Sequence, residues 1–189
     1  MKVNRSNRYQ LAHDDIQGVV GTATGASALG TITIRDTGFP ILAFQNANDD
    51  VLYMVFQFPH RKKLQSALDS VHIHYYLPVA PGAGNTLIFD YEWTWFNDGD
   101  TIPATATWTK STKTHTFAGT EAQYSTGLLS IITNLAAPLS EKYSSILLVK
   151  MIRNSTGGGS DTYDSDLGMF YCDAHFIVDR YGSFYESSD

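Results

Sequence analysis

The 189-residue chain has little cysteine, little charge and no long apolar run. Its one cysteine, Cys172, excludes an intramolecular disulfide and every zinc motif built on cysteine. The longest apolar runs, near residues 128–139 and 146–152, are too short and too interrupted to cross a bilayer. The first residues contain no apolar segment typical of a signal peptide. We therefore expect a protein that is made in a cytoplasm and stays soluble.

Charged residues make up 17% of the chain, and the formal net charge is −6. A nucleic-acid-binding domain normally carries a basic stripe, whereas the densest basic run here, residues 61–63, is typical of a solvated turn. A chain with so few charges usually hides more of its surface than a free monomer does. The composition therefore favours contacts within an oligomer or particle, and we expect no nucleic-acid or membrane partner.

Residues 1–18 are polar and show no periodicity, and we interpret them as a short N-terminal arm. Lys2, Arg5 and Arg8 precede the first acid of the chain, so the arm is suited to an acidic partner surface, with a solvated tail as the alternative. Residues 19–189 are predicted to form a single β-sandwich domain.

Aromatic residues reach 13%, and short alternating segments are bounded by Gly, Pro, Asn and Asp. Both features are typical of strands. The pattern predicts about eight to ten strands and at most one short helix, over residues 61–69. It favours an all-β, antiparallel β-sandwich of jelly-roll type and not a βαβ fold. Residues 51–58 are predicted to be a strand covered on both faces, and residues 71–79 to pair with residues 87–96.

Histidines and one aspartate are candidates for a site on such a sheet. His72 and His74 are two apart on a predicted strand, so they share a face, as Asp173 and His175 do on the last strand. Imidazole groups in this pattern suit Zn, Ni or Fe, as in cupin-type jelly rolls. The glutamate that a cupin-like site needs is absent after His74. We therefore expect no metal and no cofactor, with His72, His74 and His175 structural, neutral and partly buried beside Asp173.

A strand in the middle of the chain carries a second constellation. Asp90 and Glu92 share one face, while Tyr91, Trp93 and Trp95 share the other. Paired carboxylates suit a glycosidase, and aromatic faces bind sugars. The same patterns also occur on solvated strand faces and in cores. We expect no enzymatic activity, and a cupin- or lectin-like jelly roll that binds a metal or carbohydrate is the alternative function.

Several short motifs follow one another between residues 50 and 186. Q-x-P-H occupies residues 57–60, H-x-H occupies residues 72–74, and a strand rich in aromatics ends in N-D-G at residues 97–99. The final pattern, D-x-H…D-x-x-G-S-x-x-E, consists of Asp173, His175, Asp179, Gly182, Ser183 and Glu186. In this order the motifs resemble a family of small structural virion proteins of tailed bacteriophages and prophages.

The resemblance implies a virion protein that decorates a capsid or belongs to the neck or tail. Its expected partners are major capsid, neck or tail proteins, and its expected location is the virion, assembled in the host cytoplasm. A homotrimer is expected because phage shells offer three-fold sites. The residues expected to bind the partner are Lys2, Arg5 and Arg8.

Overall fold

The computed structural model describes residues 12–101, 108–156 and 161–178. Within these ranges the chain forms strands and two single-turn 3₁₀ segments, Gly25–Ser27 and Arg35–Thr37, and no α-helix. The described chain accordingly has no helix of the length and apolarity needed to span a membrane. The strands are β1 (Ala12–Gln17), β2 (Val19–Thr22), β3 (Gly30–Thr33), β4 (Pro40–Phe44), β5 (Val51–Gln57), β6 (Leu68–Tyr76), β7 (Thr86–Phe96), β8 (Thr109–Thr116), β9 (Thr126–Leu135), β10 (Ile146–Arg153) and β11 (Leu167–Val178).

The strands form two antiparallel sheets that pack as a sandwich. One sheet has the order β3-β4-β11-β6-β9, with β1 also paired to β11, and the other has the order β2-β5-β10-β7-β8. Counted from β4, the eight strands are arranged first-eighth-third-sixth in one sheet and second-seventh-fourth-fifth in the other. This is the strand order of a jelly roll. The predicted all-β jelly-roll sandwich is therefore confirmed.

The core between the sheets follows from the alternation of side chains along each strand. On β10, Leu147, Val149 and Met151 are buried and the residues between them are partly exposed, as a period of two requires. Phe44 of one sheet meets Phe89 of the other edge-on, with ring centroids 5.4 Å apart. Contacts of this kind give the packing of the two sheets a preferred geometry.

Three local predictions are wrong. Residues 61–69 form turns and the start of β6 in place of a helix, and Lys62 in this segment makes a buried ion pair with Glu141. The segments 71–79 and 87–96 do not pair, because the jelly-roll connection carries the chain from β6 in one sheet to β7 in the other. The strand at 51–58 is not covered on both faces, as described below.

The N-terminal arm is shorter than predicted. Within the range 1–18 assigned to the arm, residues 12–17 form β1, which pairs along its whole length with β11. Ile16 packs against the core, which ties this strand to the sandwich. The sandwich therefore begins before residue 19. The three predicted partner-binding residues lie outside the described residues, and their role stays a prediction: Lys2, Arg5 and Arg8.

Candidate functional site

The two histidine-containing motifs meet on the outer face of the sheet β3-β4-β11-β6-β9. In the ladder between β6 and β11, His72 is the register partner of Asp173, and His74 is the partner of Tyr171. Partners in an antiparallel ladder place their side chains on the same face. His74 and Asp173 are 99 positions apart in the chain, so this meeting depends on the jelly-roll topology.

The Asp173 carboxylate lies at the centre of a group that we call the His–Asp cluster, formed by His72, His74, Asp173 and His175. Its Oδ2 atom lies 3.1 Å from His74 Nε2 and 3.6 Å from His175 Nε2. Its Oδ1 atom lies 3.3 Å from His72 Nδ1. The contact with His74 is a hydrogen bond, which the imidazole donates when Nε2 carries the proton. One carboxylate therefore faces three imidazoles.

The His–Asp cluster is buried at one side and open at the other. The side chains of His72 and Asp173 are 8% and 5% exposed, while that of His175 is 38% exposed. The His175 ring lies edge-on to the His72 ring, with centroids 4.5 Å apart. Tyr171 stacks on His74 at 4.1 Å. The prediction that these histidines are partly buried beside Asp173 is confirmed.

Two buried atoms of the cluster, His72 Nδ1 and Asp173 Oδ1, have no hydrogen-bond partner among the described residues. They lie 3.3 Å apart but lack hydrogen-bond geometry. Burial lowers the pKa of His72 and the neighbouring His175 lowers it further, while the Asp173 carboxylate partly offsets the shift. A lowered pKa favours the neutral form of His72 at pH 7, in the direction that the sequence analysis expects. Buried polar atoms without a partner are rare in folded proteins and call for an explanation.

The carboxylates on β7 are held by neighbouring side chains. Thr112 Oγ1 donates a hydrogen bond of 2.6 Å to Asp90, and Lys110 Nζ lies 2.8 Å from Glu92. The hydrogen bond from Lys110 lowers the pKa of Glu92. A glycosidase needs a general acid whose pKa is raised. The arrangement therefore gives no support to glycosidase chemistry at this pair.

The aromatic stripe on the opposite face of β7 belongs to the core. Tyr91 is part of the buried cluster, and Trp93 and Trp95 pack against it. Trp95 stacks on Phe58 with ring centroids 5.4 Å apart. These rings are therefore not available as an exposed platform for a sugar.

Sequence reasoning missed an apolar band on the outer face of the sheet β2-β5-β10-β7-β8. Val19, Val55 and Leu148 are register partners across three neighbouring strands, and Ile146 pairs with Phe96 next to them. Val19 is 73% exposed and Val55 is 37% exposed. We call these five residues the apolar band. The feature of the sequence that could have indicated the apolar band is the run of apolar residues on β5, because such a run places apolar side chains on both faces of the strand.

A groove runs along the apolar band and includes all of its residues except Val19. It has a volume of about 340 Å³ and is lined by Val55, Phe96, Leu148 and the turn at residues 97–100. Its lining combines apolar side chains of the band with Asp98 and Asp100 of the turn. The groove is therefore suited to an apolar side chain in a segment that also carries positive charge.

The remaining residues of the tail motif lie outside the described residues, so the structure says nothing of their position: Asp179, Gly182, Ser183 and Glu186.

No family model matches the chain, and no curated protein matches it. The solved structures that match the chain include the following two. One is a carbohydrate-binding module specific for non-crystalline cellulose, with 11% identity, a TM-score of 0.38, and coverage of 84% of this chain and 85% of that chain. The other comes from a structural study of promiscuous carbohydrate-binding modules of the β-sandwich superfamily, with 6% identity and a TM-score of 0.31, covering 89% of this chain and 56% of that chain. Similarity at this level carries no inference about function.

Proposed function

We propose that this chain is a non-enzymatic structural protein of a phage virion, placed on the capsid or in the neck or tail, that acts through contacts with other virion proteins. The observation that carries the proposal is the apolar band. Single apolar residues are ordinary on protein surfaces, whereas a contiguous apolar patch that lines a groove is typical of an interaction site. The low charge content of the chain supports the same conclusion.

The resemblance to phage virion proteins supports the choice of partner. Two of its motifs, H-x-H at residues 72–74 and D-x-H at residues 173–175, are brought together on adjacent strands. Motifs that form one cluster in the fold are better grounds for a resemblance than scattered matches.

The charge of the groove rim supports a basic partner segment. Asp98 and Asp100 lie in the turn that lines the groove, and opposite charges favour encounter and orientation at interfaces. The arm of a neighbouring copy is such a segment, with Lys2, Arg5 and Arg8 as its basic residues. We expect this contact to recur around the three-fold axis of a homotrimer mounted on the shell.

The test is co-sedimentation of the purified full-length chain with phage particles assembled without it. Val55→Glu places a charge in the apolar band at an exposed position and is expected to lower occupancy about tenfold or more, as the loss of an interface anchor does. Val79→Glu is the matched control, because Val79 is 48% exposed and lies outside the band. Its occupancy is expected to equal that of the wild type.

Each outcome decides a separate part of the proposal. If the full-length chain joins no particle, the virion function is wrong. If Val55→Glu binds particles as the wild type does, the band is not the contact surface. Sedimentation of the free chain tests the trimer, and a stable monomer at high concentration would contradict it.

A further inference from the structure

We propose that His72, Asp173 and His175 bind one divalent transition-metal ion, and that His74 is a positioning residue for this site. The pattern of residues alone favoured a purely structural role for these histidines. The distances within the His–Asp cluster and its two unpaired buried atoms point instead to a metal ligand set. The inference does not rest on the virion function.

The spacing of the ligand atoms fits a small ion. One ligand atom each from His72, Asp173 and His175 can be chosen so that all lie within 4.8 Å of one another. In a tetrahedral site with bonds near 2.1 Å, neighbouring ligand atoms are about 3.4 Å apart. Asp173 Oδ1 lies 3.3 Å from His72 Nδ1, and the other carboxylate oxygen, Oδ2, lies 3.6 Å from His175 Nε2. The pair of His72 Nδ1 and Asp173 Oδ1 therefore already has the separation of one edge of the tetrahedron, and the more exposed His175 moves closer to complete the ligand set when the ion binds.

The chemistry of the unpaired protein atoms indicates which kind of metal ion the site binds. His72 Nδ1 and Asp173 Oδ1 are both buried and lack a hydrogen-bond partner within the described chain. A bound cation accepts a lone pair from each and so satisfies both atoms at once. Two imidazole nitrogens and one carboxylate oxygen suit Zn²⁺, Fe²⁺ or Ni²⁺, whereas Mg²⁺ and Ca²⁺ prefer oxygen ligands throughout.

His74 orients the carboxylate. Its Nε2 atom lies 3.1 Å from Asp173 Oδ2, and its ring is held by stacking on Tyr171. This contact occupies Oδ2 and leaves Oδ1 directed at His72. Carboxylates that bind metals are commonly fixed by such a second hydrogen bond, and loss of it weakens metal affinity about 10- to 100-fold.

The ladder between β6 and β11 holds the site in advance of binding. His72 and Asp173 are register partners on adjacent strands inside the sheet, and ligands on such strands are placed more precisely than ligands on loops. Three protein ligands leave a fourth position open. The exposure of His175 places that position toward solvent, where water can fill it.

The experiment titrates Zn²⁺ into the untagged full-length chain after EDTA treatment, with calorimetry for affinity and metal analysis for stoichiometry. The wild type is expected to bind one Zn²⁺ per chain. Asp173→Asn and His175→Gln are each expected to weaken binding at least about tenfold, and His74→Gln about 10- to 100-fold. His60→Gln is the control, since His60 contacts Ser144 and lies outside the cluster. It is expected to bind Zn²⁺ as the wild type does.

Co²⁺ provides a second readout, because its visible absorption reports tetrahedral coordination by these ligands and is expected to be lost in His175→Gln. Circular dichroism and thermal melts show whether each variant is folded. If Asp173→Asn does not fold, His175→Gln decides the question, since its side chain is the most exposed in the cluster. The proposal is overturned if the wild type shows no saturable binding, or if His175→Gln binds Zn²⁺ with unchanged affinity and stoichiometry.

Discussion

Arg153 and Asp161 form an ion pair that is closed off from solvent, with Nε 2.8 Å from Oδ2 and side chains 0% and 3% exposed. The guanidinium also donates to the carbonyl oxygens of Phe44, Tyr163 and Ser165 and to the second oxygen of Asp161. All five of its N–H groups therefore have an acceptor. The side chain joins the ends of β4 and β10 to the loop that precedes β11.

Arg153→Ala is expected to lower the free energy of unfolding by about 3–5 kcal/mol, because it leaves the buried Asp161 carboxylate without a counter-charge. Urea denaturation measures the change. Lys110→Ala is the control, since Lys110 pairs with Glu92 but is 72% exposed, and a surface pair of this kind contributes about 0–1 kcal/mol. Similar losses in the two variants would contradict the structural role of Arg153.

The local sequence pattern predicted the strands, because the alternation of polar and apolar residues and the turn residues can be recognised within each segment. It placed His72 with His74, and Asp173 with His175, on common faces for the same reason. It could not predict that β6 and β11 are neighbours, because pairing between strands a hundred residues apart depends on the whole topology. The expectation that these histidines lie beside Asp173 was therefore made without knowledge of the strand pairing that brings them together.

Two other features were missed because a single strand does not show what covers it. The apolar run on β5 predicts apolar faces but not whether a second layer lies outside them, so the exposure of Tyr53 and Val55 could not be foreseen. β1 has acids at Asp14 and Asp15, which obscure its alternation. It is recognisable as a strand only through the ladder that it forms with β11.

Deletion of residues 1–17 is expected to destabilise the sandwich, because part of the predicted arm is the strand β1. The deletion removes the whole ladder of β1 with β11 and the packing of Ile16 on the core. We expect a loss of roughly 3 kcal/mol or more in the free energy of unfolding, from several ladder hydrogen bonds and the buried apolar surface. Deletion of residues 1–11 leaves β1 intact and is the matched control. Equal stability of the two truncated chains in urea would show that β1 contributes nothing.

Gly18→Ala is expected to destabilise the junction between β1 and β2. A Cβ atom at Gly18 would lie 2.6 Å from Phe56 Cε1 and 2.8 Å from Cys172 Sγ, and both neighbours are fully buried. Overpacking of this kind costs about 1–3 kcal/mol. Gly21→Ala is the control, because the nearest atom to its Cβ would be 3.9 Å away.

Cys172 reports on the same junction. Burial raises the pKa of its thiol to about 12, so the native protein is expected to react very slowly with thiol reagents at neutral pH. Gly18→Ala is expected to accelerate labelling because it favours local opening. An unchanged labelling rate in Gly18→Ala, or fast labelling of the wild type, would contradict this account.

Stability is expected to fall on mild acidification, in part because of His115. The Nε2 atom of His115 is buried without a partner among the described residues, and the ring lies edge-on to Phe117 at 4.8 Å. Burial lowers the pKa of His115 from its ordinary value of 6.5; Lys113 lowers it further, and Glu121 partly offsets the shift. Between the lowered pKa and 6.5, the unfolded chain binds more protons than the folded chain, so stability rises with pH and is lost as the pH falls through this window.

His115→Gln removes the titrating group. It is expected to reduce the dependence of the unfolding free energy on pH between about pH 7 and 5. The slope can fall by no more than about 1.4 kcal/mol per pH unit, which is the limit for one proton. Some dependence remains, because the pKa of His72 is also lowered by burial. Thr114→Gln is the control, since it changes an exposed position on the same strand and leaves His115 in place. Urea denaturation at a series of pH values measures the slopes. An identical slope for His115→Gln and Thr114→Gln would show that the pKa of His115 is the same in the folded and unfolded chains, which would contradict the effect of burial.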